Sequence, residues 1–261
     1  MTTGPTGALE GRVAIVTGAT RGIGKGIGVG LGEAGATVYV TGRTADRSDI
    51  AALVTAAGGR GIAVRCDHSR DEDIASLFAV VERDHGRLDL LVNNATTLPD
   101  IDQLFNDRPF WEVDPRLWDD LFSVGVRSHF IASRHAARAM IPRKRGLIVN
   151  VSSRGAQKKI GVLPYGVAKS ALDRMTADMA VDLKPYGITA LSLWPPPTAT
   201  ERMLAYKDKT VDASTWSLPL FNGRVIAALA AQPDLSDRAG GAFPVRDLAA
   251  ELGVDDLHPA R

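Results

Sequence analysis

Six short β-branched runs, separated by longer segments of helical periodicity, constrain this chain more than any other feature: Val13–Thr17, Thr37–Thr41, Ile62–Cys66, Leu88–Val92, Leu147–Val151 and Ile188–Leu193. Each run is apolar nearly throughout, as strands are when helices cover both faces of their sheet. The intervening stretches are long enough for the crossovers that parallel pairing requires. The alternation therefore specifies an α/β chain with a doubly wound parallel sheet. A last strand at Ala242–Val245 brings the expected number to about seven.

Three helices can be placed, the first of them with its face. Arg70–His85 carries Ile74, Leu77, Phe78 and Val81 at i, i+3, i+4, i+7 spacing, a stripe that lies on a sheet. The segment from Pro115 to Met140 starts with a proline suited to a first helical turn and ends before Pro142, which predicts one long helix. A further helical stretch covers Gly223–Ala231. Arg143-Lys144-Arg145-Gly146, between the long helix and the next strand, reads as a solvated turn.

No repeat, low-complexity tract or serine/proline linker divides the chain, so a single domain over residues 1–261 is expected, with residues 1–10 as an N-terminal tail. A chain of 261 residues, 45% hydrophobic, buries about three-quarters of its unfolded surface and needs no staple. The only cysteine, Cys66, ends an apolar run and reads as a buried structural thiol. Net charge is +1, which gives no reason to expect nucleic acid or a membrane surface as a partner and points to small molecules. The first ten residues resemble no secretion signal, and no apolar run approaches the roughly 20 residues that span a bilayer, so a cytoplasmic location is expected. His68, His85, His129, His135 and His258 lack metal-ligand spacing and read as structural, and no metal site is expected.

Chemistry enters directly after the first strand, at Thr17-Gly18-Ala19-Thr20-Arg21-Gly22-Ile23-Gly24. Glycines at 18, 22 and 24 allow a tight turn and let a pyrophosphate approach the amides at the start of the following helix. The strand–turn–helix context is the one a dinucleotide requires. At the end of the second strand, where a carboxylate would take the ribose 2′-hydroxyl of NAD, the sequence reads Thr41-Gly42-Arg43. Nothing there repels a 2′-phosphate, Arg43 can pair with it, and Arg21 can add a second positive charge. NADP(H) is favoured over NAD(H). The competing reading of both arginines is a surface ion pair with Asp46 or Glu33.

Further along, Tyr165 precedes Lys169 by four residues, which places phenol and ammonium on one helix face. A nearby cation, together with oxidised nicotinamide, favours the phenolate and moves the tyrosine toward the working range of a general acid or base. Ser152-Ser153 ends the fifth strand, where sites in open parallel sheets form, and can hold a carbonyl oxygen while the tyrosine protonates it.

The strings TGATRGIG at 17–24, Asp67, NNA at 93–95, Ser152-Ser153 and YGVAK at 165–169 stand in the order and spacing of the classical short-chain dehydrogenase/reductase family, which this sequence resembles across residues 10–200. FWE at 110–112, WDD at 118–120, LIVNVSS at 147–153, PYGVAKSA at 164–171 and LSLWP at 191–195 look like its dehydrogenase/reductase member 1 subgroup. The resemblance implies a Rossmann fold, and Tyr165 as acid/base with Lys169 on the nicotinamide ribose. It implies Ser153 on the carbonyl, with Ser152 as the alternative. Cofactor contacts would come from Gly18, Thr20, Arg21, Gly22, Ile23, Gly24, Arg43, Asp67 (adenine), Asn93 and Ala95. Thr198 and Thr200 would hold the carboxamide, and a loop at about 196–220 would cover the substrate. A homo-oligomer, tetramer or dimer, is also implied, pairing the helices at 115–140 and 164–186.

Three positions depart from the pattern. Thr96 stands where NNAG has glycine, Gly125 stands where a helix asparagine anchors a proton-relay water, and Pro195-Pro196-Pro197 replaces proline-glycine and stiffens the entry to the substrate loop. About seven inserted residues between Ala95 and Trp118, with Phe105, Phe110 and Trp111, either wall the substrate cleft or form a surface or subunit-contact loop. Met203, Leu204 and Trp216 similarly either line an apolar pocket or pack a helix. The function expected is hydride transfer between nicotinamide and a ketone, aldehyde or secondary alcohol. A catalytically weak cofactor-binding sensor or structural protein is the alternative, motivated by Thr96 and Gly125. An epimerase or lyase of this fold lacks a distinct constellation.

Overall fold

All seven expected strands form, and their order explains why the sequence alternates as it does. The computed structural model describes residues 7–105, 108–205 and 213–256. Among these, the strands are β1 (Val13–Val16), β2 (Thr37–Gly42), β3 (Arg60–Arg65), β4 (Leu90–Asn93), β5 (Gly146–Val151), β6 (Ile188–Trp194) and β7 (Ala242–Pro244). They make one parallel sheet in the order β3-β2-β1-β4-β5-β6-β7. The chain reverses direction across the sheet between β1 and β4, and the crevice beyond the carboxyl ends of strands at such a switch point is where ligands bind.

The helices are α1 (Gly22–Glu33), α2 (Ile50–Ala56), α3 (Asp71–His85), α4 (Ile101–Leu104), α5 (Arg116–Phe122), α6 (Ser128–Met140), α7 (Leu163–Leu183), α8 (Glu201–Leu204), α9 (Pro219–Ala231) and α10 (Val245–Leu252). Helix α3 shows how local sequence sets an element. Asp71, Glu72 and Asp73 face its positive end, Arg83 and His85 its negative end, and Gly86 closes it in the left-handed region at φ 60°. Its stripe of Ile74, Leu77, Phe78 and Val81 is buried as the periodicity predicts. The core has two layers. One face of the sheet packs on α1, α2, α9 and α10, and the other on α3, α6 and α7.

Glycines govern the first layer. A Cβ at Gly26 would run into the Pro219 carbonyl, and one at Gly30 would stand 2.6 Å from the Gly223 carbonyl carbon. The backbones of α1 and α9 therefore touch along a seam that no side chain could enter.

Two expectations need correction. The long helix at 115–140 is not regular: a π-helical turn at Ser123–Arg127 separates α5 from α6, with Gly125 buried in it. Such turns leave i→i−4 bonds unmade and concentrate at functional sites. The N-terminal tail is shorter than ten residues, because Leu9 is 2% exposed and its N–H bonds the Ala34 carbonyl. Residues 1–6 lie outside the described residues, as do 206–212 of the expected substrate loop and His258. The basic run 143–145 is an exposed turn, with Lys144 left-handed at φ 49°. Among the described residues no helix is long and apolar enough to cross a membrane, and no cluster of metal-ligating side chains occurs.

Candidate active site

A cavity of about 1190 Å³ opens beyond the carboxyl ends of β1, β2, β4, β5 and β6. Its first wall is the glycine turn. Gly18 sits at φ 64° and Gly22 at φ 58°, conformations that L side chains rarely adopt, and a Cβ on Gly18 would stand 2.8 Å from the Ala95 Cα. Hydrogen bonds from the end of β4 fix this turn. The Thr17 hydroxyl oxygen accepts from the N–H groups of Asn94 and Ala95 at 2.9 and 3.0 Å. The Asn94 amide donates to the Thr17 and Gly18 carbonyls at 2.9 and 3.0 Å. His129 Nε2–H donates to the Ala95 carbonyl at 2.8 Å.

Asn93, expected in the cofactor cleft, is fully buried instead. Its amide donates to Ser133 Oγ and Asn150 Oδ1, each at 2.9 Å. The neighbour Asn94 lines the cavity. The Asn93 side chain belongs to a buried polar chain, in which Asn150 donates to Thr176 Oγ1 at 2.8 Å and Thr176 meets Ser192 at 2.9 Å. Sequence reasoning missed the role of Asn94, although its position two residues past an apolar run marks it as the first group free of the strand.

At the cavity's far end lie Thr20, Arg21, Gly42, Arg43, Asp67 and His68. Arg21 and Arg43 are exposed and form no ion pair with the described residues. Glu33, one alternative partner, is taken by Arg224 at 2.7 Å. A Cβ on Gly42 would stand 3.0 Å from Thr20 Cγ2, so an acidic side chain there would have to push Thr20 aside. The Asp67 carboxylate accepts from the Ser69 N–H and hydroxyl, and these bonds hold it below the usual carboxylate range. Burial keeps His68 neutral, pushed down to about 4, with Nε2 2.8 Å from the Thr41 hydroxyl. Burial pushes the Cys66 thiol up to about 12, as suits an inert core cysteine.

Ser153, Tyr165 and Lys169 converge at the other end. Helix α7 starts one residue before Pro164, so Tyr165 stands in its first turn and Lys169 one turn on. Ser153 Oγ accepts the Gly155 N–H at 3.0 Å and bonds the Tyr165 hydroxyl. Ser152, in contrast, is 4% exposed and its hydroxyl points to the Lys169 carbonyl at 3.3 Å. Lys169 Nζ donates to the Val151 carbonyl at 2.9 Å and lies 5.8 Å from the Tyr165 ring centre. Burial lowers Lys169 to about 8, and Asp173, one turn further, opposes that. Asp173 accepts the Trp194 indole N–H at 3.0 Å.

The expected lowering of the phenol by the lysine is not what the protein alone produces. Burial raises Tyr165 above its ordinary value, and only the Ser153 bond pulls the other way. Desolvation of a phenolate outweighs an ammonium already engaged by a carbonyl.

The opposite wall follows β6. Thr198 and Thr200 both line the cavity, but their hydroxyls are engaged within the loop. Thr198 donates to the Pro196 carbonyl at 2.7 Å, and Thr200 caps α8 by accepting the Met203 N–H at 3.2 Å. Glu201 reaches across the cleft, where its carboxylate accepts the Gly22 N–H at 3.0 Å. That contact leaves no trace in the sequence pattern. Leu98, Ile101, Leu104, Phe105, Met203 and Trp216 give this end an apolar lining. The insertion thus divides: Phe105 and its neighbours wall the cleft, whereas Phe110 and Trp111 pack edge-to-face on each other and remain 62% and 73% exposed. Leu204 faces outward at 60% exposure.

Comparison with known proteins agrees with this geometry. Residues 12–210 match the family model described as short chain dehydrogenase. Proteins described as Dehydrogenase/reductase SDR family member 1 are 40% identical over 265 residues in Mus musculus and 38% over 268 residues in Homo sapiens. Each alignment covers 95% of this chain and 84% of the relative. Among solved structures, a metagenomic short-chain oxidoreductase in complex with NADP superimposes with a TM-score of 0.73 at 29% identity. That superposition covers 91% of this chain and 97% of the other.

Proposed function

This chain belongs to the short-chain dehydrogenase family of oxidoreductases, and we propose that it moves a hydride between NADP(H) and the carbon of a ketone, aldehyde or secondary alcohol. One observation carries the reading: a single cavity has Arg21 and Arg43, neither in an ion pair with the described residues, beside a glycine turn at one end and Ser153, Tyr165 and Lys169 at the other.

The donor set fits a phosphorylated dinucleotide. The Ile23 amide opens α1 toward the cleft and suits a pyrophosphate, which would also take over the Gly22 N–H by displacing the Glu201 carboxylate from it. Arg21 and Arg43 suit a 2′-phosphate, and Asp67 an adenine amine. Ala95 and the backbone of Thr198 and Thr200 flank the nicotinamide end. When bound, nicotinamide supplies or accepts the hydride. The NADP in the metagenomic relative supports the same preference here.

The chain's own residues manage the proton. The Ser153 oxygen accepts from Gly155, and its hydroxyl proton, offered to Tyr165 in the protein alone, would turn to hold a substrate oxygen. Tyr165, held protonated by burial, is set to give its proton to that oxygen during reduction. Alcohol oxidation needs the phenolate, so its rate should climb with pH while reduction does not. Lys169 supplies the positive charge that steadies the phenolate and two further N–H groups for a ribose. The apolar lining from Leu98 to Phe105 and Trp216 favours an apolar carbonyl substrate.

Trp118, Phe130 and Val181, exposed at 42%, 50% and 73% on α5, α6 and α7, support a homo-oligomer built on those helices, which light scattering can check. The decisive experiment is a fluorescence titration with NADPH and NADH, followed by a panel of ketones and aldehydes. Tighter NADPH binding with oxidation on a carbonyl is expected. Tight binding without turnover on a broad panel would favour a sensor, and preference for NADH would refute the roles of Arg21 and Arg43.

A further inference from the structure

The amino ends of the strands, opposite the active-site cavity, carry a second and smaller cavity. The residues just before four adjacent strands line it: Arg12 before β1, Asp89 before β4, Arg145 before β5 and Gly187 before β6. Its volume is about 100 Å³, room for several waters or for one phosphate-sized ion in their place. Backbone pairing fixes the row, because the Asp89 N–H donates to the Val13 carbonyl at 2.9 Å and the Leu147 N–H to the Asp89 carbonyl at 3.0 Å. Gly187, at φ 63°, pins the turn that carries Arg145. It lies so close to that turn that a Cβ would stand 2.7 Å from the Lys144 carbonyl oxygen.

Positive charge along this row exceeds what the protein neutralises. Arg87 holds both oxygens of Asp89 in its fork, and the Val13 N–H adds a further bond at 2.9 Å. That leaves Arg12 a 3.8 Å approach to the same carboxylate, beyond hydrogen-bond length. The Arg12 guanidinium makes no hydrogen bond to the described residues, although its side chain is only 24% exposed. Arg143 and Arg145 belong to the exposed turn ahead of β5, and neither side chain has a hydrogen bond or ion pair with a described residue. Burial, and next the charge of Arg145, hold Arg12 below its ordinary value; Asp89 opposes them, while Arg87 and Arg143 add to the repulsion. The other carboxylate on the cavity wall, Asp234, is occupied by the Ser236 N–H and hydroxyl at 2.8 and 3.0 Å. Counting Arg87 and Arg143, which act on Arg12 through space, four guanidinium groups meet two carboxylates, an excess of two positive charges. A largely buried cation with unused donors calls for an acceptor.

We propose that this cavity is an anion site, in which Arg12 and Arg145 hold a phosphate dianion, free or as a monoester, at the amino ends of β1, β4, β5 and β6. Its two negative charges match the excess, which a carboxylate would only half fill. Guanidinium N–H groups suit phosphate oxygens in pairs. The basic run is thus a solvated turn at Lys144 and half of a site at Arg145. An ion held from two strands stabilises the folded chain by mass action and takes no part in hydride transfer, whose cavity lies at the opposite ends of the strands.

The test is a calorimetric titration of the full chain with inorganic phosphate, glycerol 2-phosphate and acetate, at about pH 8 and constant ionic strength. One phosphate site with a Kd on the order of 1 mM or below is expected, with acetate much weaker. The site should persist in the double variant Arg21→Ala, Arg43→Ala, which removes the cations of the cofactor end. Arg145→Gln, a change in an exposed turn, should weaken phosphate binding by about tenfold or more, and Arg12→Gln should do the same. Lys144→Gln removes one charge from the same turn without touching the cavity wall, and should stay within about twofold of native. Glycerol 2-phosphate binding as tightly as inorganic phosphate would support an esterified phosphate as the occupant, and its exclusion would support the free ion. Absence of saturable phosphate binding in the Arg21, Arg43 double variant would overturn the proposal. Native affinity in Arg145→Gln would overturn it as well, whether or not Arg12→Gln folds. An equal loss in Lys144→Gln and Arg145→Gln would also overturn it, since the ion would then answer to the charge of the turn and not to a site.

Discussion

The two walls of the cleft are built on opposite principles. The wall of Thr17–Gly24 and Asn93–Ala95 is backbone held by backbone and by short polar side chains, with Thr17, Asn94 and His129 fixing each other's strands. The wall after β6 is three prolines, a four-residue helix and apolar side chains. Its hydroxyls turn inward on their own loop, and α8 is tied to the insertion through Arg202 and the Leu98 carbonyl at 3.3 Å. A common ligand needs fixed donors at fixed places, and a backbone wall provides them. Substrate choice needs shape, and an apolar wall can change shape without disturbing the first.

The largest effect tests what lies between the walls. Tyr165→Phe should cut kcat by about 10³-fold while NADPH affinity stays within a factor of two or so, since the phenol moves a proton rather than holding the cofactor. An equal loss in both would erase the division of labour. Next, Gly18→Ala should weaken NADPH binding by about 10- to 100-fold, because the new Cβ meets the Ala95 Cα in a left-handed conformation. Removing Arg21 and Arg43 together should cost NADPH about tenfold or more in Kd and leave NADH unchanged, measured by the same titration.

The polar wall should also be the acid-sensitive one. His68 and His129 are held neutral by burial, at about 4 and about 3 against 6.5. Below pH 6.5 the unfolded chain binds protons that the folded chain refuses, so their contribution to stability is present above 6.5 and is lost as pH falls toward 4. A loss of a few kcal/mol is expected by denaturant melts between pH 7 and pH 4, and His129→Gln should flatten that slope. Trp216→Ala should have the smallest effect, a few-fold rise in KM for an apolar carbonyl with NADPH Kd unchanged. A change in NADPH Kd there would show that the walls are coupled.

What could be read in advance follows the same division. The central strands were legible because β1, β2, β4, β5 and β6 are buried on both faces and so carry apolar runs, whereas the edge strands β3 and β7 are only partly buried. The glycine turn, Tyr165 and Lys169 were legible because their chemistry lies within a few residues of sequence. The π-turn was not, since Ser123-Val124-Gly125-Val126-Arg127 fits an ordinary helical period and nothing local marks the wider turn. The exchange of Asn93 for Asn94 depended on where β4 ends, a matter of one residue. The reach of Glu201 to Gly22 joins positions far apart in the chain, and nothing local announces it. Nor does the backbone seam of Gly26 and Gly30 against α9, where the glycines of α1 look like poor helix formers until their partner is present.

That seam has a consequence for how the protein is made. Helix α1 emerges from the ribosome early, carrying the first half of the glycine turn, but the surface it was shaped to meet is roughly 200 residues downstream, a separation that slows the search for native contacts. Until Pro219–Ala231 has been synthesised, a helix rich in glycine has poor propensity and only β2 and α2, through Val40, Ile50 and Val54, to pack on. Nascent chains halted before residue 219 should therefore be cut by protease within α1, and chains halted after the tail has cleared the exit tunnel should resist. The nucleotide turn ahead of α1 becomes durable only when α9 has been translated.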